Sequence, residues 1–380
     1  MYSSDSGAEM QGSKKRYVLL DGMRGIAALA VVVMHHFTSS IGFFRNSAGA
    51  VDFFFILSGF VIFHAYERKR LSTIRFMAIR IARLYPLFLI GLILGAPVIF
   101  FQALQAHTSL IDVYYILSLN MFYIPYFGKF PAMPGGFDGI PIFPENNPAW
   151  SLFFELCANA LFFKISRLSL RKMAVGAVLC GLAYPLSGYF FARYYHVPHL
   201  FMILGGWGQN NFITGFPRVA YGFVLGMAIC KYVNTNLLPK FLNDVAEFKL
   251  TGPLIIISFI IFLAMPLIPK EGIIIYLSFI FIFCPIAVMI ASQIEITDLT
   301  SRNLMEFLGR ISYPIYCIHI PIMDLTMMVA NKFGVAEGAK FLSITISILL
   351  AVLLDKFYDP LARGWLQSLF GKASRVGLAA

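Results

Sequence analysis

Long apolar runs recur through this chain and constrain its fold more than any other feature. The first, LDGMRGIAALAVVVMHH, occupies residues 20–36. A helix needs about 20 predominantly apolar residues to cross a bilayer, and hydrocarbon offers the backbone no hydrogen-bond partners, so such runs become helices. Only 13% of the residues are charged and 59% are apolar, whereas soluble domains carry about 25% charged residues. We therefore predict an all-α fold, a polytopic integral membrane helical bundle.

The hydropathy pattern predicts about ten transmembrane helices. We expect them at residues 18–38, 50–66, 77–101, 148–166, 172–192, 212–232, 251–269, 271–291, 306–330 and 340–358. The first run is not interpreted as a secretory signal, because it contains Arg24, lacks a small-residue cleavage site and is followed by equally long runs. The predicted organisation is a disordered cytoplasmic N-terminus at 1–16, a transmembrane domain at 17–360 and a cytoplasmic C-terminal tail at 361–380.

The distribution of positive charge predicts the orientation of the chain. A net charge of +11 is compatible with nucleic-acid binding, but the predicted spans place 22 of the 30 Lys and Arg residues on one side and seven on the other. Such asymmetry follows the positive-inside rule. The basic charge is thus expected to orient the protein with both termini in the cytoplasm, and no nucleic-acid partner is predicted.

The cysteines and the longest break between spans carry little functional signal. The five cysteines are scattered singly through apolar stretches and none has metal-ligand or redox spacing, so we expect buried, unpaired side chains. Residues 102–147 contain a marginal apolar stretch, interfacial or re-entrant, and then a loop rich in Pro and Gly. Its aromatic residues, with Asp138 and Glu145, are compatible with sugar binding and equally with a plain structured loop.

The first span carries two ionisable side chains on one face. Arg24 and His35 are eleven residues apart, about three helical turns and a rise of about 16 Å. Ionisable residues at membrane depth are costly and are candidate functional residues by default. We expect the pair to form one polar stripe along an inward-facing crevice. For His35 taken alone, a hydrogen bond between helices is the competing interpretation.

Three further spans bring ionisable groups to a similar predicted depth. Asp52 lies in the first turn of the second span, where it also complements the helix dipole, Glu155 lies four residues after Ser151 in the fourth, and His319 lies in the ninth. An imidazole that shares its second nitrogen with a carboxylate is a positioned general base. We expect Glu155 or Asp52 to orient His35, and the sequence leaves open which carboxylate does so.

The third span begins with a cluster of arginines. In IRFMAIRIARLYP, Arg80 and Arg83 are three residues apart and lie on one face, with Arg75 one turn earlier. Attraction to anionic lipid headgroups explains many such clusters. Guanidinium groups also bind phosphates through bidentate hydrogen bonds. A phosphate-bearing ligand held here would send a long arm up the crevice toward His35.

In combination these motifs resemble the membrane-bound acyltransferase family 3, the polysaccharide O-acetylase group, from about residue 17 to 358. Arg24-x10-His35 resembles the family's Arg/Lys-x10-His motif, and Arg80-Ile-Ala-Arg83 its Arg-x-x-Arg motif. VDFFFILSGF resembles its second-span motif, WSLFFE its Trp-Ser-Leu-x-x-Glu stretch, and ISYPIYCIHIP its late Ser-Tyr…His motif. The expected number of spans also agrees.

The resemblance implies an O-acyltransferase in a bacterial inner membrane. It implies transfer of an acyl group, usually acetyl from cytoplasmic acetyl-CoA, to a hydroxyl of a glycan or lipid-linked sugar. By the same resemblance His35 corresponds to the proposed catalytic base, and Arg80 and Arg83 to donor-binding positions. Supporting roles are implied for the following residues: Asp52, Glu155 and His319 in catalysis, Arg24 in donor binding, Trp150 and Ser151 in substrate binding. No metal is expected, because a thioester is already activated.

A proton-coupled membrane transporter is the rival hypothesis from the residues alone. A transporter would also place His, Asp and Glu in the middle of the membrane, as a proton relay. No inverted repeat is seen in the sequence, and a transporter gives the arginine cluster no obvious use. A signalling or scaffold membrane protein leaves the polar residues of the spans unexplained.

Overall fold

The computed structural model describes residues 15–37, 44–133, 135–136, 138–197, 203–235, 239–266 and 271–376. Within these ranges the protein is helical, and its β-structure is limited to two isolated bridges, Gly136 with Gly139 and Pro141 with Gly208. Among the described residues, eight helices are long and apolar enough to cross a membrane, or nine if one bent pair counts as a span. The predicted all-α membrane bundle is confirmed.

The helices are numbered in chain order. They are α1 (Val18–Phe37), α2 (Ala50–Tyr66), α3 (Thr73–Gln105), α4 (Leu110–Met121), α5 (Ala149–Ala160), α6 (Phe162–Ser166), α7 (Leu170–Tyr195), α8 (Gly215–Val233), α9 (Lys240–Glu247), α10 (Thr251–Ala264), α11 (Glu271–Ser278), α12 (Cys284–Ala291), α13 (Leu299–Phe333), α14 (Ala336–Leu353) and α15 (Asp359–Val376). Short π-helical segments join α11 to α12 and α14 to α15.

The structure differs from the expected spans at three places. The segment expected to span at 148–166 forms two shorter helices, α5 and α6, with a break at Leu161. The segment expected at 251–269 contains the 14-residue helix α10, which meets α9 at a bend of 89°, and its last residues lie outside the described ranges. The segment expected as a tail at 361–380 is helical through Val376, because α15 continues from α14. Of the predicted disordered segment, residues 1–14 lie outside the described ranges.

Two pairs of parallel helices form the centre of the bundle. Helices α1 and α13 approach closely at Gly25, where a Cβ atom would lie 2.5 Å from Leu308, and at Gly309, where it would lie 2.8 Å from Asp21. Helices α2 and α8 pack just as closely at Gly226, which faces the backbone of Ile56. Small residues at these positions let the backbones approach, as is common in membrane bundles.

One proline leaves a backbone carbonyl of α13 without its helical hydrogen-bond partner, and another segment of the chain donates a hydrogen bond to that carbonyl. Pro321 has no N–H, so the carbonyl of Cys317, four residues earlier, loses its helical partner. Asn146, in the loop before α5, donates its Nδ2 to that carbonyl at 2.8 Å. Tyr313 of the same helix donates its hydroxyl to the carbonyl of Leu84, at 2.6 Å, two residues before Pro86 in α3. These bonds tie α13 to α3 and to the α4–α5 loop.

The exterior of the bundle is apolar. Leu179 and Phe190 of α7 are 62% and 66% exposed, and Ile257 of α10 is 53% exposed. Such large exposed side chains are a liability in water and are the expected surface of a helix that faces lipid. All five cysteines are free, as predicted, and Cys230, Cys284 and Cys317 are buried.

Candidate active site

Two histidines meet between α1 and α13. His35 Nδ1 lies 2.9 Å from His319 Nε2, and the two rings are stacked with centroids 5.1 Å apart. Arg24, three turns earlier on α1, also contacts α13: its Nε donates to Ser312 Oγ at 2.9 Å and its Nη2 to the carbonyl of Gly309 at 2.8 Å. Both ends of the predicted polar stripe therefore face one helix, α13.

Backbone carbonyls assign the proton positions in the histidine pair. His319 Nδ1 lies 3.1 Å from the carbonyl of Ile315 and 2.9 Å from that of Tyr316. A carbonyl only accepts hydrogen bonds, so His319 Nδ1 carries a proton and its Nε2 is the acceptor in a neutral ring. His35 must then donate from Nδ1. Its Nε2 keeps a lone pair, which is the atom a general base uses.

The ring of His35 lines a chamber that we call the histidine chamber. It has a volume of about 340 Å³. Its lining comes from α1, α13, and the regions around the starts of α2, α5 and α8. The polar and aromatic residues in it are His35, Arg45, Asn147, Trp150, Trp207, Arg218 and Tyr316. His35 is half-buried, whereas His319 is fully buried. The chamber therefore exposes one imidazole and hides the other behind it.

A second chamber, which we call the arginine chamber, has a volume of about 300 Å³. Five arginines and three carboxylates line it: Arg24, Arg80, Arg83, Arg310, Arg363, Glu155, Asp355 and Asp359. The guanidinium groups outnumber the carboxylates, so the chamber carries an excess of positive charge. Ligand pockets of this size with a few convergent polar groups are typical binding sites. The charge and the hydrogen-bond donors favour a phosphate-bearing ligand.

Arg80 and Glu155 form an ion pair in the wall of the arginine chamber. Arg80 Nη2 donates to Glu155 Oε1 at 2.7 Å, and Ser58 Oγ donates to the same oxygen at 2.8 Å. Arg80 is only 4% exposed, and its buried Nε has no partner among the described residues. Arg83, one turn later, is exposed and lines the same chamber. Unused donors on a buried arginine are available to a ligand.

Asp52 belongs to a different ion pair, between α2 and α8. Arg218 Nε donates to Asp52 Oδ1 at 2.8 Å and Nη2 donates to Oδ2 at 2.7 Å. Tyr276 donates its hydroxyl to Oδ2 at 2.7 Å, and Tyr184 lies 2.8 Å from the hydroxyl of Tyr276. This network is fully buried and joins four helices. It supports the part of the histidine chamber that Arg218 lines. There the Arg218 guanidinium lies 5.1 Å from the ring of Trp150.

The expectation that Glu155 or Asp52 orients His35 is therefore corrected. Each carboxylate contacts an arginine instead, and the partner of His35 is His319. The physical reason is charge: a carboxylate withdrawn from water needs a cation more than it needs a neutral imidazole. The four groups converge on one region of the bundle, but they divide into a histidine pair and two ion pairs.

Tyr316 and Val51 line both chambers and form the wall between them. The hydroxyl of Tyr316 lies 2.8 Å from Ser151 Oγ and 3.3 Å from the carbonyl of Pro148. Ser151 lines the arginine chamber and Trp150 lines the histidine chamber. Instead of one continuous crevice, the structure has two adjoining chambers, with a contact between Tyr316 and Ser151 at their boundary.

The loop before α5 is a structured support. Asp138 is 5% exposed and accepts a bond from Asn211 Nδ2 at 2.8 Å, and Glu145 is 2% exposed. Burial raises the pKa of Asp138 to about 6 although the Asn211 bond opposes it, and burial raises the pKa of Glu145 to about 8. Of the two interpretations of this loop, these carboxyl groups match a plain structured loop, because neither is exposed to a sugar.

Sequence reasoning missed three residues at these chambers. Arg218 was counted only among the seven cations of the less basic side. It lies near the start of an apolar helix, so the rule applied to Asp52 and Glu155 applies equally to it. Tyr316 stands inside the ISYPIYCIHIP motif without having been assigned a role. Arg363 was placed in the expected tail. No pattern in the sequence signals that α15 packs against α3 and brings Arg363 to the arginine chamber.

A polytopic helical membrane protein with a buried imidazole pair beside an arginine-lined chamber is the class that the fold and the site define. The family described as an acyltransferase domain, acyltransferase family 3, matches residues 17–354, and the chain belongs to it. The protein is a membrane acyltransferase. This result favours the acyltransferase hypothesis over the transporter.

A curated relative matches part of the chain. It is "Protein 2 in picA locus" of Rhizobium radiobacter, which is 34% identical over 177 residues. That match covers 43% of this chain and 90% of the relative. No solved structure matches the chain.

Proposed function

We propose that the protein transfers an acyl group, most simply acetyl, from acyl-CoA to a hydroxyl of a glycan or lipid-linked sugar. The single observation that carries this proposal is the pairing of His35 with His319. It leaves a basic nitrogen in one chamber while the adjoining chamber carries the guanidinium groups. A thioester donor with a phosphorylated end and a hydroxyl acceptor fit these two chambers.

In this proposal the phosphates of the donor bind the arginine chamber. Arg80 and Arg83 supply the guanidinium donors that the Arg-x-x-Arg motif implies. Arg24 already donates to α13 through Nε and one Nη2 bond, so its main contribution is positive charge near the donor. The thioester arm then extends past Tyr316 and Val51 into the histidine chamber.

The transfer step uses His35 Nε2 as general base. The acceptor hydroxyl gives its proton to Nε2 while its oxygen attacks the thioester carbonyl. The new C–O ester bond forms, the C–S bond breaks, and the thiolate of CoA takes the proton back from the imidazolium. During this step His35 Nδ1 keeps its bond to His319, which holds the ring in the reactive tautomer. Catalysis of this kind contributes about 10²- to 10⁴-fold to the rate.

The acceptor is proposed to enter the histidine chamber. Trp150 and Trp207 offer aromatic faces and Asn147 a side-chain amide, a combination that suits a sugar ring with several hydroxyls. The positive-inside pattern supports a donor on the cytoplasmic side and an acceptor on the opposite side of a bacterial inner membrane. Each substrate would then enter from its own side, and the donor arm that passes Tyr316 would meet the acceptor in the histidine chamber.

The test compares His35→Gln with His36→Gln in cells and with purified protein. His36 is adjacent in sequence, and its one hydrogen bond among the described residues is to the carbonyl of Val32 in its own helix, so it is a matched control. We expect His35→Gln to lose at least 100-fold of the acetyl transfer while its dissociation constant for acetyl-CoA is unchanged. Mass spectrometry of surface glycans measures the transfer. Wild-type levels of O-acetyl groups with His35→Gln would refute the assignment of the base.

His319 is tested as a positioning residue. His319→Leu removes the acceptor of the His35 Nδ1 proton, so both tautomers of His35 become populated. We expect kcat to fall about tenfold while the KM for acetyl-CoA stays constant, and the lower limb of the pH–rate profile to shift. An unchanged pH profile with a changed KM would contradict a positioning role.

A further inference from the structure

We infer that Arg363 of α15 is a donor-binding residue, which takes part of the phosphate charge of acyl-CoA in the arginine chamber. The inference rests on the proposed donor. The match to the acyltransferase family ends at residue 354, so α15 lies outside the family's matched region. It nevertheless supplies two of the residues that line this chamber, Arg363 and Asp359.

The packing of α15 explains how these residues reach the chamber. Helix α15 follows α14 through the π-helical segment Leu354–Tyr358 and packs against α3. Tyr358 donates its hydroxyl to the carbonyl of Pro86 in α3, at 3.3 Å. Since α3 also carries Arg80 and Arg83, this contact places the charges of α15 beside the arginines that the Arg-x-x-Arg motif supplies.

Without a donor, Arg363 is held by a carboxylate. Arg363 Nη2 lies 2.6 Å from Asp359 Oδ2, and the Arg363 side chain is 29% exposed. The pair is incomplete, because Asp359 Oδ1 and Arg363 Nε are buried and have no partner among the described residues. A guanidinium that offers an unused Nε at a ligand chamber has donors left for an oxyanion.

The charge balance of the chamber also favours an anion at Arg363. Four of its five arginines are paired with carboxylates: Arg24 with Asp21, Arg80 with Glu155, Arg310 with Asp355, and Arg363 with Asp359. Asp21 does not line the chamber, so five guanidinium groups still face three carboxylates in its lining. Two arginines pair with acids near α15. Arg310 is the more exposed of the two, with 54% of its side chain accessible against 29% for Arg363. A phosphate that enters the chamber meets Arg363 in the chamber wall, where the phosphate and Asp359 can both bind the same guanidinium. The solvated pair of Arg310 and Asp355 need not be displaced.

The experiment measures acetyl-CoA binding to the full chain in nanodiscs by calorimetry. The variants are Arg363→Ala, Arg363→Lys, Asp359→Asn and the control Lys356→Ala. Lys356 lies seven residues earlier, is exposed and does not line the chamber. We expect Arg363→Ala to raise the dissociation constant about tenfold and Arg363→Lys about threefold, since Lys keeps the charge and loses the planar fork. Lys356→Ala should bind as the wild type does.

Asp359→Asn separates ligand binding from a purely structural ion pair. It releases Arg363 from its carboxylate, so we expect acetyl-CoA to bind as tightly as in the wild type or more tightly. Weakening equal to that of Arg363→Ala would mean that the pair only holds α15 in place, and would overturn the inference. Acetyl-pantetheine, which lacks the nucleotide phosphates, should show the same KM with the wild type and Arg363→Ala, and a higher KM with the variant would also overturn it.

The two proposals fail differently. A wild-type protein that does not bind acetyl-CoA would refute the proposed donor itself. A wild-type protein that binds acetyl-CoA while Arg363→Ala and Arg363→Lys bind it equally well would leave the proposed function standing and refute only the role of Arg363. Thermal unfolding of each variant in the same nanodiscs confirms that the compared proteins are folded.

Discussion

Two buried arginine–carboxylate pairs have the same chemistry and different surroundings. Arg218 uses every donor: Nε and Nη2 bind Asp52, Nη1 binds the carbonyls of Leu204 and Gly205, and Nη2 also reaches that of Ala48. Arg80 makes one bond, to Glu155, and its Nε is unused. The saturated pair holds helices together, and the unsaturated pair lines a chamber that is open to a ligand.

The comparison teaches how to assign a buried charge. Burial alone does not distinguish structural from functional groups, since Arg218 is 2% and Arg80 4% exposed. The distinguishing feature is the number of unused hydrogen-bonding groups beside a cavity. A saturated group has nothing left to offer a ligand, whereas an unsaturated one carries a desolvation cost that a ligand relieves.

The largest expected effect is on the saturated pair. Arg218→Met leaves Asp52 buried without its cation, and breaking a buried pair in this way costs about 3–5 kcal/mol. We expect a large fall in the unfolding temperature in detergent and poor recovery of folded protein by size-exclusion chromatography. The double variant Arg218→Met with Asp52→Leu should recover much of the loss. A single variant as stable as the wild type would remove the contrast between the pairs.

Arg80→Met is expected to lower binding more than stability. Glu155 keeps its bond to Ser58 and is 17% exposed, so the chamber can solvate the remaining carboxylate. A hydrogen bond to a charged group contributes about 1.5–3 kcal/mol, so we expect acetyl-CoA affinity to fall about 10- to 100-fold. Calorimetry measures the binding, and the unfolding temperature serves as the control. Unchanged affinity with a strongly lowered unfolding temperature would make this pair structural as well.

Glu145 extends the comparison to a buried carboxyl group that has no cationic partner among the described residues. Its pKa is raised to about 8 by burial, so between the ordinary value of 4.5 and 8 the folded state binds more protons than the unfolded state. Stability is then highest at low pH and falls by about 1.4 kcal/mol per pH unit toward pH 8. Glu145→Gln should abolish this slope when unfolding temperatures are compared at pH 6 and pH 8. Parallel pH profiles for the two proteins would contradict a neutral buried acid.

The smallest expected effect is that of Tyr184→Phe, at the edge of the saturated network, and Tyr276→Phe is its comparison. Tyr276→Phe removes a bond to the charged Asp52 and is expected to cost about 1.5–3 kcal/mol. Tyr184→Phe removes only a bond between two hydroxyls and should cost about 0.5–1.5 kcal/mol. Unfolding temperatures measured side by side give the order. The reverse order would mean that Asp52 does not depend on Tyr276.

Much of the bundle was predictable, because membrane helices are specified locally. The apolar runs predict α1, α2 and α8 nearly to their ends, since a backbone in lipid must bond within its own segment. The shared face of Arg24 and His35 follows from helical periodicity. The length of helix α5 was overestimated, because the apolar composition of the segment continues past Leu161, where the helix ends.

The site was less predictable, because its contacts join residues far apart in the chain. Spacing within a helix predicts which side chains lie on one face, and it contains no information about the neighbouring helix. His35 and His319 are 284 residues apart, and Asp52 and Arg218 are 166 residues apart. A rule that carboxylates pair with histidines failed here because two arginines, brought in by other helices, were available to Asp52 and Glu155.

The amino-acid sequence by itself determined that this chain is a helical membrane protein and which of its faces are polar. Each of those properties depends on residues within a few turns of one another. Only the tertiary structure decided which polar group meets which, and it divided the polar interior into a histidine chamber and an arginine chamber. The reason is that a buried charge takes its partner from whichever helix packs beside it, and helix packing is set by the whole bundle.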